Sequence, residues 1–193
     1  MSIRPGPGGT AGVTLVELIV FIVIVGVAMA GLFAAFNTIT AASADPQVRK
    51  QVLAIAESLM EEVSLMPFTH CDPDDPLAPT AAIGACTGAA SNEDAAIGPE
   101  TGETRYSAAT PFDNVSDYHG FAMASGIQDI TNATISGLGA YSVDPIAVTQ
   151  VGTSLGLATN ADALRISITV RGPGGVSTTL EGYRLRYAPN TLP

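Results

Sequence analysis

The sequence predicts an α+β chain in which a long amino-terminal helix, membrane-spanning in its first half, packs on a small antiparallel β-sheet. Three stretches carry that expectation. From Leu18 to Phe36 there is no charged or strongly polar side chain, and the run is long enough to cross the hydrocarbon core of a bilayer as a helix. Val48, Val52, Ile55, Leu59, Val63 and Met66 recur at steps of four, three, four, four and three, which is one apolar stripe on a helix. Leu164, Ile166, Ile168 and Val170 alternate with Arg165, Ser167, Thr169 and Arg171, the period of a strand with one buried face.

The 193 residues suffice for one ordinary domain once the apolar run is set aside. A net charge of −10 argues against a nucleic-acid partner, because neutralising phosphates needs a basic surface. Between Glu57 and Asp162 the lone basic residue is Arg105, whereas Arg165, Arg171, Arg184 and Arg186 then follow against Glu181 alone. Such asymmetry suits head-to-tail contact between copies or homologues, and equally a solvated acidic surface.

At the head of the apolar run stands Glu17, between Val16 and Leu18. A secretory signal peptide would use Arg4, the apolar run and the small-x-small pattern Ala42-Ser43-Ala44 before Asp45-Pro46. The run is longer than such a peptide needs, and the carboxylate has no place in it. A simple anchor leaves Glu17 unexplained, and Arg4 before the span with Arg49 and Lys50 after it gives orientation little guidance. The stretch GVTLVELIVFIVIVG accounts for the carboxylate. It resembles the amino terminus of the type IV pilin family, which includes the type II secretion pseudopilins. That family has a short polar leader ending in glycine, then an apolar residue, Thr, Leu, any residue and Glu.

By this resemblance Gly12 closes the leader, Val13 becomes the first residue, where Phe is more usual, and Thr14, Leu15 and Glu17 complete the motif. It implies cleavage after Gly12 by a prepilin peptidase at the cytoplasmic membrane face and N-methylation of Val13. Cleavage creates a cationic amine that the Glu17 carboxylate of a neighbouring subunit can meet. A charge at the centre of a span costs about 2.5–3.5 kcal/mol, less toward the interface. Pairing therefore favours docking at one axial register.

Further along, Asp45 is expected to cap a second helix that begins at Pro46 and that Pro67 ends. On its polar side Arg49 and Lys50 lie near the amino end and Glu57, Glu61 and Glu62 near the carboxyl end, both against the helix dipole. Glu57 and Glu61 are also like charges one turn apart. The reading is that these charges either meet another subunit or do nothing. ASADPQVRKQVLAIAESLMEEVSLMPFTHCDPDD and FDNVSDYHGF resemble the D-type minor pilins of mannose-sensitive haemagglutinin pili.

Cys71 and Cys86 are expected to pair if the domain is exported to an oxidising compartment. Closing a loop of about fifteen residues contributes roughly 3 kcal/mol. Asp72, Asp74 and Asp75 offer oxygens to Ca²⁺, but the run lacks the glycine and glutamate positions of a calcium hand. A solvated acidic turn is preferred, and no cofactor is expected. His70, Cys71, Cys86 and His119 lack zinc-site spacing, so a disulfide and two surface histidines are expected. Phe112, Val115, Tyr118 and Phe121 at threefold spacing suit a turn-like segment with its aromatics inward, where Asp113 and Asp117 cap and turn.

YSVDPIAVTQV reads as a strand that Pro145 pushes toward an edge or a bulge. GPGG (172–175) turns the chain, and VSTTLEGYRLRY returns with Tyr183, Leu185 and Tyr187 inward. A shift of parity after Leu180 predicts a bulge near Glu181-Gly182.

The expected plan is a leader at 1–12, a transmembrane helix at 13–36, an amphipathic helix at 37–67, a loop region at 68–103 and a sheet domain at 104–193. The resemblance implies a minor pilin, non-catalytic, in the shaft or at the start of a pilus, with cell adhesion as the associated process. Its implied partners are prepilin peptidase, other pilin subunits, the assembly platform and inner-membrane lipid. It places the chain as a single-pass inner-membrane protein with its carboxyl-terminal part in the periplasm, then in the filament. The alternatives are a type II secretion minor pseudopilin and a membrane-tethered periplasmic binding domain.

Overall fold

The computed structural model describes residues 12–95 and 97–186, with the backbone only for 38–45. The chain is α+β and divides into two compact units, Met1–Ala44 and Asp45–Pro193. Helix α1, Leu15–Leu65, supplies residues to both.

In the first unit α1 carries a stretch of 23 residues, Leu15–Asn37, whose most apolar 18-residue window has mean hydropathy 2.9 and is wholly unburied, with Glu17 near its head. At 1.5 Å per residue the stretch rises roughly 35 Å, enough for a hydrocarbon core about 30 Å thick. A second helix starting at Asp45 is not observed, since Pro46 lies inside α1. An interior proline removes one ladder bond, a cost of about 3 kcal/mol, and the turns on either side remain helical. The helix closes with the Met66 amide on the Val63 carbonyl at 3.2 Å, immediately before Pro67.

In the second unit the predicted stripe is the buried one. Val52, Ile55, Leu59 and Val63 share a core with Val143, Ile146, Val148, Leu164, Ile166, Ile168 and Val170. The sheet strands are β1 (Ser142–Val143), β2 (Ala147–Gln150), β3 (Ala163–Arg171) and β4 (Ser177–Leu185). All pairings are antiparallel to β3. β4 pairs along the whole of β3, so β1 and β2 follow one another on its other edge. Between them the register slips by one: Val143 faces Val170, but Ala147 faces Ser167. The extra residue lies at Asp144-Pro145-Ile146, so the proline, which cannot donate to a ladder, marks a bulge. Asp144 uses the bulge to reach Arg171 in a bidentate pair, with contacts of 2.6–2.9 Å.

The return strand differs from expectation. Its register with β3 is unbroken from Arg171↔Ser177 to Ala163↔Leu185, so there is no bulge at Glu181-Gly182. Even-numbered residues face the core side, and Tyr183 and Leu185 are exposed at 53% and 47%. Tyr187 lies outside the described residues. The parity break in the sequence arises because Gly182 holds an inward position with no side chain. A Cβ there would meet the Met60 sulfur at 2.7 Å, so the helix fills the space that the strand leaves open.

Between α1 and the sheet, Phe112–Phe121 folds as expected around a 3₁₀ turn at Ser116–Tyr118. Val115 and Tyr118 are buried. The rings of Phe112, Tyr118 and Phe121 pack edge to face at 5.1–6.2 Å.

Candidate functional site

Two places concentrate polar groups. The first is the start of α1. Thr14 precedes the helix, and its hydroxyl accepts a hydrogen bond from the Glu17 amide at 3.3 Å. Its carbonyl accepts the first ladder bond, from Leu18 at 3.1 Å. T-x-x-E is a capping signature that the sequence displays, and Glu17 occupies the first turn, where the dipole favours an acid by about 0.3–1 kcal/mol. Gly12 and Val13 are exposed and precede the helix, and among the described residues no other side chain crowds Gly12. The leader, including Arg4, lies outside the described residues, whereas Ala42-Ser43-Ala44 is helical.

The second place lies around the disulfide. Cys71 and Cys86 are bonded, with Cα atoms 5.5 Å apart. Cys71 is fully buried, and Asp72, next in the chain, is only 8% exposed. The amide of Asp74 donates to Asp72 Oδ1 at 2.6 Å. The expected solvated turn is exposed at Asp74 but buried at Asp72 and Asp75. Asp72 and Asp74 share one group of acids, and Asp75 is in none of the three groups found among the described residues. Asp75, 5% exposed, accepts from the Leu77 amide and from the amide and hydroxyl of Thr87, which consumes its oxygens in closing the loop.

Asp72 instead meets acids from elsewhere in the chain. Three sets each bring carboxylate oxygens within 4.8 Å of one another: Asp72, Glu100 and Glu103; Asp72, Asp74 and Asp113; Glu93, Glu100 and Asp117. Each acid is placed by its own segment. The 3₁₀ turn holds Asp117, whose Oδ2 accepts from the amides of Asp113 at 2.9 Å and Asn114 at 2.7 Å, so Asp117 turns the chain that leads in, but no side chain caps the 3₁₀ segment. Ser116 donates its hydroxyl to Glu93 Oε2. The Glu100 amide donates to Glu103 Oε2 at 3.2 Å.

Burial drives the electrostatics. It pushes the Glu93 carboxyl up to about 7, with the charges of Asp117 and Asp72 adding to the effect. Glu100 is also raised to about 7 by burial and by Glu93, and Glu103 to about 7 by burial and by Glu100. Asp117 reaches about 7 because burial outweighs its two amide donors. Asp113 reaches about 6 through burial and the charges of Asp72, Glu103 and Asp74. Among the described residues Asp113 Oδ1, Asn114 Oδ1 and Asp117 Oδ1 are buried without a hydrogen-bond partner, and the Glu93 carboxyl is paired with that of Glu100. Each unpartnered group costs about 1–3 kcal/mol.

The histidines are apart from this cluster. His70 is not a surface residue: its side chain is 19% exposed and its Nδ1 lies 2.7 Å from Asp94 Oδ2. His119 is exposed, and its Nδ1 accepts from the Val148 amide at 3.2 Å. Glu62, one of the acids expected either to meet another subunit or to do nothing, has a partner in the same chain. Its carboxylate accepts from Arg105 Nε at 2.6 Å and Nη2 at 2.8 Å, and from the Tyr118 hydroxyl at 2.8 Å.

Chemically the cluster is a set of hard oxygen donors of high negative potential, able to share protons near neutrality or to hold a cation. Asp72, Asp74, Asp113 and Asp117 were visible as acids in the sequence, but Glu93, Glu100 and Glu103 were not singled out. Their one local signal is the recurrence of acids in SNED and PETGE. Comparison with known proteins finds no matching family model, no matching curated protein and no matching solved structure.

Proposed function

We propose that this chain is a minor type IV pilin subunit, structural rather than catalytic, cut after Gly12 by prepilin peptidase and methylated on Val13. Leu15–Asn37 holds it in the inner membrane with the unit from Asp45 onward in the periplasm, until it joins or initiates a filament with other pilin subunits. The observation that carries the reading is the start of α1: the pilin-like motif from Gly12 to Glu17 leads straight into an apolar, wholly exposed helical stretch. That helix then gives its last turns to an α+β unit.

The cap at Thr14 gives Glu17 a local use, with a dipole gain of about 0.3–1 kcal/mol, and the Val13 amine of a neighbouring subunit would give the carboxylate a counter-charge where the helix enters lipid. Mass spectrometry of the mature protein tests the proposal. The expected amino terminus is N-methylated Val13, and a chain beginning at Asp45 overturns it.

A further inference from the structure

We propose that the buried acidic cluster beside the Cys71–Cys86 loop is a Ca²⁺ site, with Glu93, Glu100 and Asp117 as its inner ligands and Asp72 and Glu103 extending it through Glu100. The site is independent of filament assembly and stands on the second unit alone.

Geometry is the first argument. Ca²⁺ binds oxygen at 2.3–2.6 Å, so two ligands on opposite sides of one ion lie about 4.6–5.2 Å apart. The oxygens of Glu93, Glu100 and Asp117 are within 4.8 Å of one another, a spacing that one ion can bridge. Four chain segments, around residues 72, 93, 100–103 and 113–117, converge to make it.

The second argument is the state of the oxygens. Asp117 is 0% exposed, yet among the described residues its Oδ1 has no hydrogen-bond partner, and Glu93, 3% exposed, meets Glu100 carboxyl to carboxyl. The side-chain oxygen of Asn114, 1% exposed, is likewise unpartnered next to Asp113. Buried polar atoms are almost always satisfied. Here a hydroxyl already serves Glu93 Oε2 and two amides serve Asp117 Oδ2, and both residues belong to the acidic set.

The third argument is charge. The charges acting on Glu100, Glu103, Asp113 and Asp117 are all acids of the same neighbourhood, among them Glu93, Asp72 and Asp74. Arg186 is within electrostatic reach of Glu93 but is committed to Asp94 at 2.9 Å. Arg105 is committed to Glu62. A divalent cation is the counter-charge that fits. The donor set is all oxygen, with both cysteines in a disulfide and His70 paired to Asp94, which favours a hard ion over zinc. The crowd of carboxylates favours Ca²⁺, with its high and flexible coordination number, over Mg²⁺, which keeps its waters.

The test uses the full-length protein in detergent, stripped with EGTA and dialysed, titrated calorimetrically with CaCl₂ and in parallel with MgCl₂. Saturable Ca²⁺ binding is expected. The melting temperature should rise by roughly 5–10 °C at free Ca²⁺ a hundredfold above its Kd. Glu93→Gln and Asp117→Asn should each weaken Ca²⁺ binding at least tenfold while melting no lower than wild type in EGTA. Asp144→Asn, outside the cluster, should bind as wild type does. If either cluster variant fails to fold, the wild-type titration decides alone. No Ca²⁺ heat and no Ca²⁺-dependent melting shift in wild type overturns the proposal. So does equal binding of Mg²⁺, or unchanged affinity in both cluster variants.

Discussion

Glu62 is a carboxylate with two jobs inside its own fold. Burial would raise it, but hydrogen bonds from Arg105 and Tyr118, with the Arg105 charge, hold it below the usual carboxylate range. Arg105 is 7% exposed, and its Nη1 also donates to the carbonyls of Gln128 and Asp129. The pair thus fastens α1 to the loops over it. A depressed folded-state value stabilises above the unfolded-state value near 4.5, and that contribution disappears as pH falls through the folded-state value. Glu62→Gln should therefore cost about 2 kcal/mol at pH 7, and urea unfolding should show the gap to wild type shrinking by pH 3. A gap that persists at pH 3 would mean that packing, and not charge, is lost. The need for such a partner was legible, since three acids crowd the carboxyl end of the helix. Its identity was not: Arg105 is 43 residues away in sequence, and only folding brings it back.

The helix and sheet meet through absences of side chain. A Cβ on Gly172, at the end of β3, would lie 2.8 Å from Val52 Cγ2 and 2.9 Å from Val48 Cγ1. Gly182 makes the equivalent recess in β4 for Met60. The two recesses differ in what lines them. Valine on a helix is held in one rotamer, whereas methionine has several torsions with which to move aside. Gly172→Ala should thus cost about 2–3 kcal/mol and Gly182→Ala about 1 kcal/mol or less, measured by urea unfolding. A larger loss at Gly182 would show Met60 to be rigidly held. Periodicity disclosed the stripe on α1 and the buried face of β3, because those patterns are local. It misread β4 because a glycine breaks a pattern of side chains whether it marks a bulge or a recess, and the ladder alone distinguishes them. The cap at Thr14 was legible in T-x-x-E and yielded to the interest of Glu17. Thr14→Ala should lower helix content at the start of α1, at a cost of about 1 kcal/mol, whereas Thr14→Ser should not. Backbone NMR of the protein in micelles would read the difference.

Across the second unit, distant segments are tied at a few polar points. Asp94 pairs with His70 and with Arg186, and its carbonyl accepts from Gln150 at 2.8 Å. The Arg186 guanidinium lies 3.9 Å from the centre of the Phe68 ring. These ties join the end of α1, β2 and the end of β4 without regular structure. The disulfide is the covalent member of the set, and replacing Cys71 and Cys86 with serine should lose roughly 3 kcal/mol in chemical unfolding. The acidic cluster itself was hidden from a linear reading, since no spacing announces that residues near 72, 93, 100 and 117 will share one interior.

Cys71 and Asp72 are consecutive, and this gives maturation an order of events. Sulfur chemistry on one residue fixes where its neighbour's carboxylate can go, so if the acidic cluster takes the proposed ion, oxidation would come before full loading. A chain that has not yet met an oxidant would then answer calcium more weakly than one that has. The same salt would thus tell a finished molecule from an unfinished one.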